Sequence, residues 1–214
     1  MRLATLVVFI LACRALICQS TSADGNNPTV PKLSDVNPKL LQLVVEDQWD
    51  RGNDMFAGRQ VKNPETLDWK EVGTHDEQRH AEVRKMLTEG RVQSAREYYF
   101  GALIFQHSSK PEDLMLAHIL AVTAVGKGST EAKYMAAATL DRYLTTIKQP
   151  QVFGTQFFRR PGEQKSTMEP YDRRILSDGE RAIWCVMPVS EQNRILKDVQ
   201  NGKPMVSTQI PDCK

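Results

Sequence analysis

The stretch Ser94–Ile147, "SAREYYFGALIFQHSSKPEDLMLAHILAVTAVGKGSTEAKYMAAATLDRYLTTI", holds three successive helical signals and decides the fold class. The first is an apolar run expected to be helical from about Ser94 to Gln106-His107. Ser109-Lys-Pro-Glu112 reads as a capping box, with proline in the first helical turn. The segment it opens is apolar on nearly every side, which predicts a helix buried on most of its surface. Gly126 and Gly128 end that segment, and Ser129 is expected to cap the third helix. Gly101, Ala102, Ala117, Ala121, Ala124 and Ala136 to Ala138 offer small surfaces over which helices can approach closely. Short connections between such helices imply antiparallel neighbours. The expected class is mainly α, with antiparallel helical hairpins stacked in a helical-repeat-like bundle.

The pattern continues on both sides. Upstream, Ser34 and Asp35 read as a cap before Leu40, Leu41, Val44 and Val45 at helical spacing. Met55 to Val72 reads as a loop, and Thr74 to Glu77 as a capping box for a helix that Gly90 closes. Beyond Pro150 the periodicity stops. "QVFGTQFF" followed by "RRPGEQ" predicts a short β-hairpin or an irregular segment. A third box, Ser177 to Glu180, and a Ser190 cap announce two short C-terminal helices.

The first residues have a basic start, an apolar run from Leu3 to Cys13 and small polar residues after it, the pattern of an export signal. The run is too short for a spanning helix. Cleavage after Ala23 suits a secretory peptidase, whereas Ile10-Leu11-Ala12-Cys13 suits lipidation at Cys13, with the signal ending at residue 12. Cysteine parity favours the first route, because it leaves Cys185 and Cys213 as an even pair for a disulfide. Such a bridge would contribute about 3 kcal/mol by loop closure. The expected organisation is a signal over 1–23, a polar leader over 24–33 and one helical domain over 34–214. The expected location is extracytoplasmic: secreted or periplasmic, or membrane-anchored through lipid. The formal charge of +2 comes from Arg2 and Arg14, and without them 26 basic residues face 26 acidic ones. A neutral chain lacks the electrostatic attraction that dominates nucleic-acid binding, so no nucleic-acid partner is expected, and no integral membrane segment after processing.

No phosphate loop, zinc-protease, nucleophile-elbow or Cys-x-x-Cys motif is present, and neither a cofactor nor a metal is assigned. His75 and His80 fall on different sides of one helix and read as exposed. His107 and His118, on consecutive helices, can approach across a hairpin, although His118 reads first as a core histidine bonded to one buried partner. Asp141 and Arg142 are adjacent in a helix, so at least one points at neighbouring helices and needs a partner there. Glu46 and Asp50 share one helix face as a carboxylate pair, for which Arg142 is a candidate counter-charge; Asp47 and Arg51 share another. Gln151, Thr155 and Gln156 add neutral donors and acceptors, and Gly154 permits a tight turn or close backbone approach. These groups suit either a polar site or a buried ion-pair network, since both perturb pKa values alike.

The segments containing Gln106-His107, Asp141-Arg142 and the turn Gln151, Gly154, Thr155, Gln156 resemble a bacterial family, a domain of unknown function. That family carries Gln-His, Asp-Arg and Gln-x-Tyr-Gly-Thr-Gln marks; here Phe153 stands where the family has tyrosine. The resemblance spans about residues 95–158 and implies that the three polar groups belong together. Three functions are carried forward. The first is a binding or interaction module for a small polar ligand or a protein, using Gln106, His107, Asp141, Arg142, Gln151, Thr155 and Gln156. The second is an extracytoplasmic hydrolytic enzyme, with Glu46 or His107 as base, Arg142 stabilising negative charge, and Asp50 and Asp141 as further catalytic candidates. The third is a purely structural helical stack.

Overall fold

A computed structural model describes residues 33–54, 59–60, 62–63, 66–160, 162–203, 206–211 and 213. The signal, the lipidation position and most of the polar leader lie outside them. After a 3-10 turn at Leu33–Asp35 come α1 (Pro38–Asp50), β1 (Asn53–Asp54), β2 (Arg59–Gln60), α2 (Trp69–Thr88) and α3 (Ala95–Phe105). Then follow α4 (Pro111–Gly126), α5 (Ala132–Thr146), α6 (Asp178–Ile183) and α7 (Val189–Gln200). Strands β1 and β2 pair antiparallel over two residues each. Among the described residues, no helix is long and apolar enough to cross a membrane.

The architecture is mainly helical, as the sequence implies, with helices packed on one another. Helix α4 packs most extensively on α3 and α5, and α1 lies against α2 and α3. The main core gathers Leu40 and Val44 from α1, Val83 and Met86 from α2, Phe100, Ile104 and Phe105 from α3, and Ala117 and Ala121 from α4. Small residues set the spacing: a methyl group on Gly101 would stand 3.2 Å from Leu120 Cδ1. Helix α4 is nevertheless not buried all round. Its outer face exposes Ile119 and Val122, because two flanking helices cannot cover a helix on every side.

Several helix starts differ from the sequence reading. Asn37, not Ser34 or Asp35, caps α1, accepting from the Lys39 and Leu40 N–H groups. Helix α2 begins at Trp69 under an Asp68 cap, so Thr74 to Glu77 lies inside it and the loop is shorter than expected. Helices α4, α5 and α7 start without a side-chain cap, so Ser109, Ser129 and Ser190 do not perform that role. A box motif within one turn of a stronger start signal (proline at the first turn of α4) is overridden by it. The Ser177–Glu180 box forms as expected, and a Ser94–Glu97 box that the sequence reading did not name forms at the start of α3. Glu97 also accepts from the Asn37 N–H at 2.8 Å, tying the start of α1 to the start of α3.

The segment after α5 is irregular, held by single bridges rather than a hairpin: Gln151 with Tyr171, Phe158 with Thr167, and Val186 with Gln209. It packs on α5 through Tyr134, Ala137, Ala138, Phe153 and Val186. Phe153 meets Trp184 edge-on, with ring centroids 6.2 Å apart. A disulfide joins Cys185 to Cys213, with Cα atoms 5.5 Å apart.

Candidate functional site

The residues singled out from sequence fall into three places. The first is the turn after α5. Asp141 is fully buried, and its two carboxylate oxygens accept from Val152 N (2.7 Å), Phe153 N (3.0 Å), Thr155 N (2.8 Å) and Thr155 Oγ1 (2.8 Å). Gln151, equally buried, donates to the carbonyls of Gln156 and Met168 and accepts from Gln156 N. Gly154 has φ +76°, and a methyl group there would stand 2.5 Å from the Tyr171 ring. The Phe153 carbonyl beside it accepts from Tyr171 Oη and Gln192 Nε2. Asp141, Gln151 and Thr155 therefore have their bonding capacity consumed inside the protein. They form a scaffold that folds the glutamine segment back over the end of α5, rather than a surface for ligand.

The second place is an open groove between α1 and α2, about 440 Å³ in volume, whose walls include Leu43, Glu46, Asp50, His75, Gln78 and Arg79. Glu46 accepts from Gln42 at 2.8 Å. Asp50 is met by Arg79 Nη1 at 2.7 Å and by His75 Nδ1 at 2.9 Å. Burial raises the Asp50 carboxyl, but bonds from Arg79 and His75 outweigh it and leave its pKa below the usual range. The counter-charge of this face is thus Arg79, not Arg142.

The third place lies behind the groove, where the ends of α1, α3 and α5 meet. Asp47, fully buried, pairs with Arg51 at 2.8 Å; Arg51 reaches Asp76 at 2.6 Å; and Asp76 accepts Arg79 at 2.7 Å. Desolvation pushes the Asp47 carboxyl up to about 6 despite Arg51. The side chain of His107 is only 10% exposed, and its Nε2 lies 3.7 Å from Asp47 Oδ2, beyond hydrogen-bond range. Among the described residues, neither of its ring nitrogens has a hydrogen-bond partner. Burial first, then the charges of Arg51 and Arg142, hold its pKa well below the ordinary histidine value, so the ring is neutral near pH 7. Arg142 donates through Nη1 to the Gln106 carbonyl at the end of α3, and through Nε to Gln156 Oε1 at 3.1 Å. Burial lowers its pKa to about 10. Gln156 in turn donates to the Ala138 carbonyl at 3.2 Å. His107, Arg142 and Gln156 each keep some contact with solvent, unlike Asp141, Gln151 and Thr155.

Of two other histidines, only His80 departs from expectation. His80 is buried, stacked on Phe105 at 4.8 Å and 3.1 Å from the Ile104 carbonyl. His118 is 2.9 Å from the Ala136 carbonyl through Nδ1, a helix-to-helix tie. Among the described residues no group of three or more His, Cys, Asp or Glu is placed to hold a metal ion.

No family model, curated protein or solved structure matches the chain. The family resemblance therefore rests on its three short motifs alone. Sequence reasoning missed Asp76 and Arg79 and placed His80 on the surface. The spacing Asp76–Arg79, i to i+3 on one helix face, was the available signal, obscured by reading the preceding segment as loop.

Proposed function

We propose that the protein is an exported helical binding module that receives a small polar ligand beside His107, Arg142 and Gln156. One observation carries this reading. A nine-tenths buried imidazole has both nitrogens unbonded, beside an arginine with bonding capacity to spare. Buried polar groups are almost always satisfied, and one that is not calls for a partner. Export is supported by the N-terminal pattern and by the Cys185–Cys213 bridge, a feature of oxidising compartments.

The test is a thermal-shift screen of the oxidised protein against small polar compounds, repeated on His107→Ala and Arg142→Gln. A ligand should raise the melting temperature of the parent and neither variant, while both variants keep most of the parent's urea stability. Large losses of stability in both variants, with no compound acting on the parent, would assign the cluster to the fold alone. A hydrolytic reading has one observation in its favour, the pair Glu46 and Asp50 in an open groove. Turnover of ester or glycoside substrates, abolished by Glu46→Gln, would establish it in place of simple binding.

A further inference from the structure

The interior beside His107 has an excess of unmatched nitrogens. His107 Nδ1 and Nε2, His80 Nδ1, Arg51 Nε and Arg79 Nε are all sheltered from solvent and have no hydrogen-bond partner. Arginine nitrogens only donate, and imidazole nitrogens donate when protonated. The nearby carboxylates are already engaged. Asp47 accepts from Arg51 on one oxygen and Gln48 on the other. Asp76 takes an arginine on each oxygen, and Asp113 takes Ser108 and Arg84. The two arginine Nε–H groups and the single N–H of the neutral His107 ring lack an acceptor, and together they define a place for one.

Arg142 decides what kind of acceptor. Its Nη1 and Nε are used by neutral oxygens, those of Gln106 and Gln156, and no hydrogen bond or ion pair among the described residues engages its Nη2. No carboxylate among the described residues pairs with it, although it is partly buried. A guanidinium withdrawn from water is favourable when it meets an anion with fork geometry. Building on the binding reading above, we infer that the ligand presents an oxyanion, a carboxylate or a phosphate, held between His107 and Arg142. A neutral polyol would fill the hydrogen-bonding positions and leave the guanidinium without a counter-charge.

The same placement couples binding to a proton. His107 faces Asp47 and Arg51 from α1, Arg79 and His80 from α2, and Arg142 from α5. In the free protein burial, and after it the neighbouring cations, keep the imidazole neutral. A bound anion reverses that preference, so His107 takes up a proton on binding and affinity rises as pH falls.

Calorimetric titration of the oxidised protein with acetate, succinate and inorganic phosphate, and with acetamide and glucose as neutral probes, tests this at pH 5.5 and 7.5. At least one anion should bind, more tightly at pH 5.5, and shift the His107 ring resonances. Arg142→Gln should weaken that anion by ten- to a hundredfold, Arg142→Lys by less, and Arg174→Gln, a surface arginine elsewhere, not at all. Arg142→Lys keeps the charge at the end of α3, so the comparison survives if Arg142→Gln does not fold. Binding of acetamide or glucose at His107 without any anion would overturn the oxyanion and leave the binding reading standing. Anion binding unchanged in Arg142→Gln would overturn the placement, and silence of the His107 resonances to every probe would overturn both readings.

Discussion

Replacing Asp141 by asparagine separates scaffold from site more sharply than any other single change. The substitution keeps one acceptor oxygen for Val152 N and Phe153 N but turns an amide NH2 towards Thr155 N and Thr155 Oγ1, which now donate to the second oxygen at 2.8 Å. The threonine hydroxyl can rotate; its backbone N–H cannot, and a buried unsatisfied N–H costs about 1–3 kcal/mol. The two surviving bonds lose their charge, which roughly halves their strength, about 1 kcal/mol more. Relief of a fully buried charge offsets part of this. The net loss is therefore about 2–3 kcal/mol, or roughly 4–12 °C in melting temperature for a chain of this size. Urea denaturation with the disulfide intact measures it. Arg142→Gln, which removes a partly buried cation with no carboxylate partner, should lose less than about 1 kcal/mol in the same assay. An Asp141→Asn loss below about 0.5 kcal/mol, the size of an ordinary surface change, would refute the claim that this carboxylate organises the turn.

Gly154→Ala must fit a methyl group 2.5 Å from the Tyr171 ring at a positive φ, so a loss of roughly 2–4 kcal/mol is expected by chemical denaturation, against a gain of about 0.5–1 kcal/mol for Gly73→Ala, inside α2 where the space is open. Lys148 ends α5 in the left-handed region at φ 61°, so Lys148→Gly should gain about 1 kcal/mol, and a loss would show that its side chain matters there. Reducing the Cys185–Cys213 bridge, or replacing both cysteines by serine, should cost about 3 kcal/mol; an unchanged urea midpoint would count against its role. Burial raises the Glu97 carboxyl, but backbone N–H groups of Ser94, Gln93 and Asn37 outweigh it and leave its pKa lowered. The stabilisation it gives is thus full above the unfolded carboxylate range and is lost as pH falls through the folded value. Stability measured from pH 6 to 3 should fall less steeply in Glu97→Gln than in the parent, and parallel profiles would contradict this.

The helical architecture was legible because its signals are local. Ser177 and Glu180 satisfy orphan N–H groups within one turn, and the alanine-rich faces of α4 and α5 encode close approach in the residues themselves. The importance of Asp141, Arg142 and the glutamine turn was also visible, since an uncharged polar run beside an Asp-Arg pair is unusual next to a helical core. Their division of labour was not. Asp141 and Arg142 differ by one position and by about 100° around the helix, and only packing shows that one faces four donors and the other the end of α3. Likewise Glu46 and Asp50 face a groove while Asp47, one residue away, is sealed beneath it with Arg51.

By itself, then, the sequence determined the helices, their hairpin order and the cysteine pair, all set by short-range capping, periodicity and parity. The tertiary structure alone decided which polar residues are spent on one another and which nitrogens remain free. Hydrogen-bond satisfaction in a core depends on partners distant in the chain, as between Arg51 and Asp76, and spacing along one strand of sequence does not encode it.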